Sequence, residues 1–186
     1  MTAELKLTGQ LLVAAPGLKD SPFEWTVVLV LSHDEDGALG VVVNRPTEVE
    51  VGEVLPSWKS VVSPPGNVFQ GGPVGLDSAL GVVSFDTGDE PIGIRRVSGT
   101  VGVVDLDTPP EVVGTAIVAM RVFAGYAGWS PGQVEDEITE GSWYVVDAEA
   151  SDAFVPDTDD LWSVVLRRQT GPLALLASFP ADPTMN

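Results

Sequence analysis

The chain changes from strand to helix within one short stretch, Gly125-Tyr126-Ala127-Gly128-Trp129-Ser130-Pro131-Gly132-Gln133-Val134-Glu135-Asp136-Glu137. The residues just before it, 117–124, are mostly apolar and predict a central strand. Gly125 and Gly128 allow a bulge, or the close approach of another backbone, where that strand ends. The stretch therefore predicts an aromatic strand end that leads directly into an acidic helix.

The limits of that helix are indicated by its flanking residues. Ser130 stands at an N-cap position, Pro131 suits the first helical position, and Gln133 completes a capping box. We expect the helix to run to about Glu140 and to stop at Gly141, which can adopt the left-handed conformation that ends many helices.

The predicted helix has one apolar row and two polar flanks. Val134 and Ile138 should face the core, with Gln133 and Glu137 on one flank and Glu135 on the other. A carboxylate that is partly buried on such a flank needs hydrogen bonds. A paired-carboxylate or divalent-metal site is one interpretation, and a solvated face with one hydrogen-bonded glutamate is the favoured one.

The charge distribution is strongly acidic. Nine Lys and Arg stand against 27 Asp and Glu, a formal net charge of −18. Residues 122–166 contain no basic side chain and ten carboxylates. Such a field repels nucleic-acid phosphates and anionic lipid. We therefore predict no direct nucleic-acid partner and no membrane partner.

The N-terminal residues do not resemble a signal peptide, because Met1-Thr2-Ala3-Glu4-Leu5-Lys6 has no basic region followed by an apolar run. The apolar runs are far shorter than the ~20 residues of a membrane span. The chain also has no cysteine, which fits a reducing compartment. These features predict a cytoplasmic protein.

Much of the remaining sequence alternates short β-branched runs with turn residues. Trp25 to Asn44 predicts a β-hairpin, with its turn at Asp34-Glu35-Asp36-Gly37. This pattern favours an α+β fold, a single domain over residues 1–186 with a curved or barrel-like, mostly antiparallel sheet flanked by short helices. Further strands are predicted at 10–15, 68–70, 79–85, 94–97, 101–104 and 143–146, and further helices at 49–55, from 107 and at 161–168.

Common signatures of catalysis and cofactor binding are missing. The sequence has no G-x-x-x-x-G-K-[ST] phosphate loop and no G-x-S-x-G nucleophile elbow. With no Cys and a single His, it can build neither a thiolate nucleophile nor an H-E-x-x-H zinc site. The turn at Asp34 is similar to part of a calcium loop, but Val43 stands where a bidentate Glu is needed. We therefore predict no catalytic residue, no cofactor and no metal.

A few side chains are candidates for a ligand or partner pocket. Aromatic rings with polar groups often line such pockets, although they belong to the core more often. A histidine that precedes three carboxylates can act as an acid or base, although a structural role at the strand end is the favoured interpretation. His33 and Asn44 should lie at opposite ends of the hairpin. The candidates are Tyr126, Trp129, Gln133, Glu137, His33 and Asn44.

Four sequence blocks resemble the YqgE/AlgH family of small bacterial proteins. That resemblance implies an α+β fold with a small closed or strongly curved β-barrel core flanked by helices, in a cytosolic protein. One branch of that family is named for a proposed role in regulating exopolysaccharide transcription, and the family offers no agreed catalytic residues. The blocks are Gly9-Gln10-Leu11-Leu12-Val13-Ala14-Ala15-Pro16 with Asp20, Pro22 and Phe23; 27–31 with His33 and 37–46; Gln70-Gly71-Gly72-Pro73-Val74; and Gly125-Tyr126-Ala127-Gly128-Trp129 continued by Gln133, Glu135 and 137–143.

Two functions are compatible with these features. The leading one is a non-catalytic regulatory or adaptor protein that acts through contacts with another protein. The alternative is a small-molecule-binding protein or an enzyme that uses a cleft near Tyr126, Trp129, Gln133 and Glu137. The sequence leaves the oligomeric state open.

Overall fold

One curled sheet organises the molecule and forms a half-barrel, so the predicted α+β class is confirmed. The structure is a computed structural model that describes residues 4–18, 21–86 and 88–178. Its strands are β1 (Leu11–Ala14), β2 (Val27–Asp34), β3 (Gly37–Val42), β4 (Pro46–Glu50), β5 (Asn67–Gln70), β6 (Val74–Phe85), β7 (Ile94–Ser98), β8 (Val101–Val104), β9 (Ile117–Trp129) and β10 (Trp143–Val146). Its helices are α1 (Val51–Val54), a 3₁₀ turn (Pro56–Trp58), α2 (Pro110–Val113), α3 (Gln133–Thr139), α4 (Leu161–Arg167) and α5 (Pro172–Leu176).

The central strand is β9, which has partners along both edges. β6 pairs antiparallel with one edge. The other edge is shared by β3, where Leu39 lies opposite Gly128, and by β5, which runs parallel with Phe69 opposite Phe123. β4 pairs with β5 outside the main path of the sheet. The main path has the order β10-β1-β2-β3-β9-β6-β8-β7.

The predicted hairpin is formed by β2 and β3. The two strands pair antiparallel, with Leu29 opposite Val41. Asn44 closes the open end of the hairpin, because its Oδ1 accepts the N–H of Val27 at 3.0 Å and its Nδ2 donates to the carbonyl of Trp25 at 2.9 Å. Asn44 is therefore a structural residue of the hairpin, at the end opposite His33.

Side chains of the sheet alternate between apolar layers, as strand geometry requires. In β1, Leu11 and Val13 face one layer and Leu12 and Ala14 face another. Helices α4 and α5 pack on the first layer and α3 packs on the second, while a third cluster is built around Trp58 beside α1 and α2. Both faces of the central strands are thus covered, which explains their nearly continuous apolar sequence. Within the described ranges, no helix combines the length and apolar character that crossing a bilayer requires.

The left-handed conformation of Gly125 shifts the alternation of side chains along β9. Gly125 has φ +73°, and a Cβ there would lie 2.6 Å from the carbonyl oxygen of Gly72. Phe123 and Tyr126 pack in the first layer, whereas Ala127 packs in the second, although 123 and 127 would share a face of a regular strand. Beyond Gly125, Ala127 and Trp129 therefore pack in the second layer, together with Val134 of α3.

Helix α3 begins two residues later than predicted, so the assignment of Ser130 as its N-cap is wrong. Gly132 takes the left-handed conformation, φ +77°, and Pro131 belongs to the turn before the helix. Half of the expected capping box exists, because the Oε1 of Gln133 accepts the N–H of Ser130 at 3.0 Å. The Ser130 hydroxyl has no hydrogen bond to any described residue. The predicted stop at Gly141, φ +84°, agrees with the structure.

Several predicted boundaries also differ. β6 starts at Val74 instead of 79, because an irregularity in its pairing with β9 between Val74 and Ala79 lets the strand continue past Gly75. β9 extends to Trp129 instead of 124, since its last residues pair with β3. The predicted helix at 49–55 is shorter because Val49 belongs to β4, which pairs with β5.

Candidate functional site

His33 and Glu135 join the end of β2 to helix α3. The Nε2 of His33 lies 2.5 Å from the Oε1 of Glu135, across 102 residues of sequence. Only 8% of the His33 side chain is exposed, against 38% of the Glu135 side chain. His33 thus has a specific partner on the flank of α3 opposite Glu137.

The charge of Glu135 is favoured by its surroundings. Burial acts to raise the pKa of this carboxyl, but its own backbone N–H and the hydrogen bond and charge of His33 together hold the pKa below its usual value. Its second oxygen, Oε2, is buried and has no hydrogen-bond partner among the described residues. A buried acceptor without a donor is uncommon in folded proteins.

A second tie holds the other flank of α3. The indole Nε1 of Trp129 donates to the Oε2 of Glu137 at 2.6 Å. The Trp129 ring packs against Phe23 and Trp143, with centroid distances of 6.2 and 6.0 Å, and Val134 is fully buried beneath the helix. Together with Gln133, which binds the Ser130 N–H, these contacts fix α3 on the second layer.

The predicted site residues are only partly brought together. Trp129, Gln133 and Glu137 meet around the start of α3, and His33 reaches the opposite flank. Tyr126 packs in the first layer, on the other face of the sheet, and Asn44 lies at the far end of the hairpin. Whether these side chains bind a ligand or a partner stays a prediction.

A cleft of about 820 Å³ opens beside His33 and Glu135. We call it the acidic cleft; its wall includes Glu4, Lys6, the turn residues Asp34, Glu35 and Asp36, and Val97, in addition to His33 and Glu135. Among the described residues, five carboxylates therefore line it against a single ammonium group. No group of three or more His, Asp and Glu in the described part of the chain is arranged to hold a metal ion.

A smaller pocket of about 280 Å³ adjoins the acidic cleft. We call it the apolar pocket; its wall includes Gly9, Leu29, Val97, Val101, Ala148 and Ala153, with polar side chains from Ser98, Thr100 and Glu149. Val97 belongs to both walls, and Thr8 of the cleft precedes Gly9 of the pocket. Gly9, with φ +83°, lies against Ser98 so closely that a Cβ would come within 2.4 Å of the Ser98 Cβ. Sequence analysis missed this pocket, because its walls come from four distant segments.

Two buried polar contacts hold the loop that walls the apolar pocket. Arg168 donates from Nη1 and Nη2 to the two carboxylate oxygens of Asp152, at 2.7 and 2.5 Å. Asp152 also accepts the N–H of Glu149 at 2.7 Å. The hydrogen bonds to Asp152 raise the pKa of the Arg168 guanidinium above its usual value. The loop is thereby fixed to α4 from inside.

Arg121 is the second contact and lies in the middle of β9 with only 2% of its surface exposed. Its Nη1 donates to the carbonyls of Ala153 at 3.1 Å and Val155 at 2.9 Å, and its Nη2 donates to that of Pro64 at 2.6 Å. The guanidinium lies 4.2 Å from the centroid of the Phe69 ring. Burial lowers the pKa of Arg121 to about 10. A lone cation within an apolar strand pattern was the available sequence signal for this role.

Comparisons with known proteins agree with this architecture. The sequence model of AlgH-like proteins matches residues 11–174. A UPF0301 protein of Streptomyces coelicolor is 56% identical over 190 residues, covering 100% of this chain and 98% of that protein. A UPF0301 protein of Thermobifida fusca is 50% identical, covering 98% of this chain and 96% of that one.

Two solved structures share the fold. A crystal structure of a protein from Corynebacterium diphtheriae superimposes with a TM-score of 0.89 at 34% identity, covering 96% of this chain and 95% of that one. The solution structure of the AlgH protein from Pseudomonas aeruginosa gives a TM-score of 0.68 at 26% identity, covering 97% of both chains.

Proposed function

The chain belongs to the AlgH-like family, and on that premise we propose that it is a non-catalytic regulatory or adaptor protein acting through contacts with another protein. The observation that carries this proposal is that polar side-chain atoms around α3 and the β2–β3 hairpin form hydrogen bonds within the protein. Among the described residues, five of the six predicted site residues use a polar side-chain atom in a hydrogen bond within the chain, and Tyr126 is the exception. These bonds tie elements of the fold together.

A catalytic role would require different contacts of these side chains. A general base works within hydrogen-bond reach of the proton that it takes, and it activates a nucleophile or a water held beside it. Here the Nε2 of His33 is occupied by Glu135, and no described Ser or Thr hydroxyl is hydrogen-bonded to His33. The neighbouring surface offers charge and an apolar pocket, which are the features of a recognition surface.

The proposal includes a cytoplasmic location and the absence of direct DNA binding. A chain with no cysteine suits a reducing compartment. Counterion release needs clustered Lys and Arg, and the net charge of −18 opposes it. An anisotropy titration with duplex DNA at about 50 mM salt tests this, and sequence-dependent binding tighter than about 1 μM would point to direct regulation.

Site-specific photo-crosslinking in cells tests the adaptor function. A benzophenone amino acid placed at Asp36, in the acidic cleft, should give a defined crosslinked protein. The same probe at Asp77, an exposed residue of β6 outside both cavities, is the matched control. The complex should then re-form from the two purified proteins with a fixed stoichiometry. Failure to form any complex from purified components would contradict the proposal.

A small-molecule-binding or enzymatic role is the second candidate. It is favoured by His33 and Glu135 themselves, because a carboxylate that orients a histidine in the wall of a cleft is an arrangement that enzymes use. Native mass spectrometry of the purified protein separates the two functions. A stoichiometric bound metabolite that is lost in a Glu135→Gln variant would favour the second one.

A further inference from the structure

We infer that the partner presents an extended segment in which an apolar side chain stands next to Lys or Arg, with the apolar side chain in the apolar pocket and the basic one in the acidic cleft. This inference rests on the proposed adaptor function and names the chemistry of its partner. It depends on the sizes of the two cavities, their charges and the fact that they adjoin.

The size of the apolar pocket suits one side chain. Sites for small-molecule ligands and cofactors usually enclose about 300–1,000 Å³, and this pocket, at about 280 Å³, falls just below that range. Leu29, Val97 and Val101 provide its larger apolar surfaces. A single aliphatic residue of a peptide therefore fits its volume and its chemistry.

The acidic cleft selects a cation. Within the described part of the chain, its wall holds Glu4, Glu135 and the three carboxylates of the β2–β3 turn, with one ammonium group, that of Lys6. A concave surface with charges of one sign concentrates the field and attracts the opposite charge. The buried Oε2 of Glu135 also lacks a donor among the described residues, and the N–H groups of Lys or Arg would supply one.

The position of the two cavities sets the spacing in the partner. Val97 contributes to both walls, and Thr8 and Gly9 are consecutive residues in the two walls. Because an extended chain advances about 3.3 Å per residue, the apolar and basic residues of the partner must be adjacent or nearly so. A helix would instead present the two side chains from residues three or four positions apart, and the inference commits to the extended segment.

The pocket wall is built before any partner arrives. Asp152 and Arg168 fix the loop beside Ala153, and Arg121 holds the Ala153 carbonyl. Binding to a preformed wall avoids the cost of ordering that loop. The structure therefore favours recognition of a flexible partner segment by a rigid surface on this protein.

Fluorescence anisotropy with labelled synthetic peptides tests the inference on the full chain. The probe is a short peptide with one leucine followed by two lysines, flanked by glycine and serine. Replacing the lysines by glutamates should abolish binding at 50 mM NaCl. The triple variant Asp34→Asn, Glu35→Gln, Asp36→Asn should weaken binding about tenfold, since each exposed ion pair contributes modestly. A triple variant with equal charge loss outside both cavities, Glu48→Gln, Glu53→Gln, Asp77→Asn, should bind within twofold of wild type.

A coupled pair of changes tests the apolar contact. Ala148→Leu fills the pocket and should weaken the leucine peptide about fivefold or more, whereas the peptide with alanine in place of leucine should bind both proteins equally weakly. That non-additivity is the signature of two groups in contact. Ala79→Leu, on an exposed position of β6, is the control and should change neither affinity. Melting curves of all variants verify that they are folded.

Specific outcomes would overturn the inference. Equal binding of the lysine and glutamate peptides, or equal loss of affinity in both triple variants, would show that the cleft does not select the cation. Additive effects of Ala148→Leu and the peptide leucine would remove the pocket from the interface. If crosslinking still yields a partner that re-forms a complex with the purified protein, the adaptor function stands and this binding mode fails.

Discussion

Replacing Arg121 by methionine should lower the free energy of unfolding by about 3 kcal/mol. The change removes three hydrogen bonds to the carbonyls of Ala153, Val155 and Pro64, and bonds from a charged group contribute about 1.5–3 kcal/mol each. The change also removes the free-energy cost of burying the charged guanidinium. That cost is about 3 kcal/mol, because burial lowers the pKa of Arg121 to about 10. The Pro64 carbonyl is on an exposed residue and can be hydrated, so we expect a loss in the lower half of the resulting range of roughly 1.5–6 kcal/mol.

Urea denaturation followed by tryptophan fluorescence measures this change. For a chain of this size, the same loss corresponds to a fall of about 6–12 °C in Tm. Hydrogen exchange should also quicken in residues 148–155, because Arg121 holds that loop. Arg95→Met is the matched control, since Arg95 is exposed on β7, and it should change stability by less than about 0.5 kcal/mol. An Arg121→Met protein as stable as wild type would refute the reasoning, because the carbonyl bonds would then not outweigh the desolvation of the guanidinium.

Three further outcomes follow from the contacts of α3. His33→Asn should lower the free energy of unfolding by about 1–3 kcal/mol, because it leaves Glu135 partly buried without its partner. The variant should keep the biological phenotype at permissive temperature. Loss of the phenotype with an unchanged melting temperature would contradict a structural role. The pKa of Glu135 is lowered in the folded state, so its contribution to stability is fully present above the unfolded-state pKa of about 4.3 and is lost as the pH falls through the folded-state pKa. Denaturation midpoints measured between pH 6 and pH 3 should show that loss. Glu135→Gln should make the midpoint depend less steeply on pH. Ser130→Ala should change the free energy of unfolding by less than about 0.5 kcal/mol, because its hydroxyl has no hydrogen bond to the described residues. Gln133→Ala should lower it by about 0.5–1.5 kcal/mol. Equal losses of stability in urea denaturation would show that the serine caps the helix.

Local sequence patterns predicted those parts of the fold that depend on neighbouring residues. The hairpin of β2 and β3 follows from two β-branched runs around an acidic turn, and the stop of α3 follows from Gly141. The start of α3 was misplaced because Ser130, Pro131 and Gln133 satisfy the cap pattern equally well two residues earlier. The left-handed conformation of Gly132 decides between the two starts, and the sequence alone does not encode which glycine adopts it.

The candidate site was harder to predict, since its contacts cross the chain. The helix pattern placed Glu135 on a flank and required a hydrogen bond for it, but could not identify His33 as the partner 102 residues away. Tyr126 was grouped with Trp129 because the two are close in sequence. Both belong to β9, and residues three apart in a strand point to opposite faces of the sheet. The burial of Arg121 depends on carbonyls from two distant loops, which no local pattern contains.

The position of β9 also has a consequence for synthesis. Strand β3 of the N-terminal hairpin can pair with β9 only after residues 127–129 have been synthesised. Ala38 pairs with Trp129, which follows it by 91 positions (129 − 38). At a translation rate of about 5–20 residues per second, the outer edge of β3 stays unpaired for roughly 5–18 s after it is made. An unpaired apolar edge is a template for association with other chains. The nascent protein therefore exposes a strand edge to other chains during that period, which ends when β9 emerges.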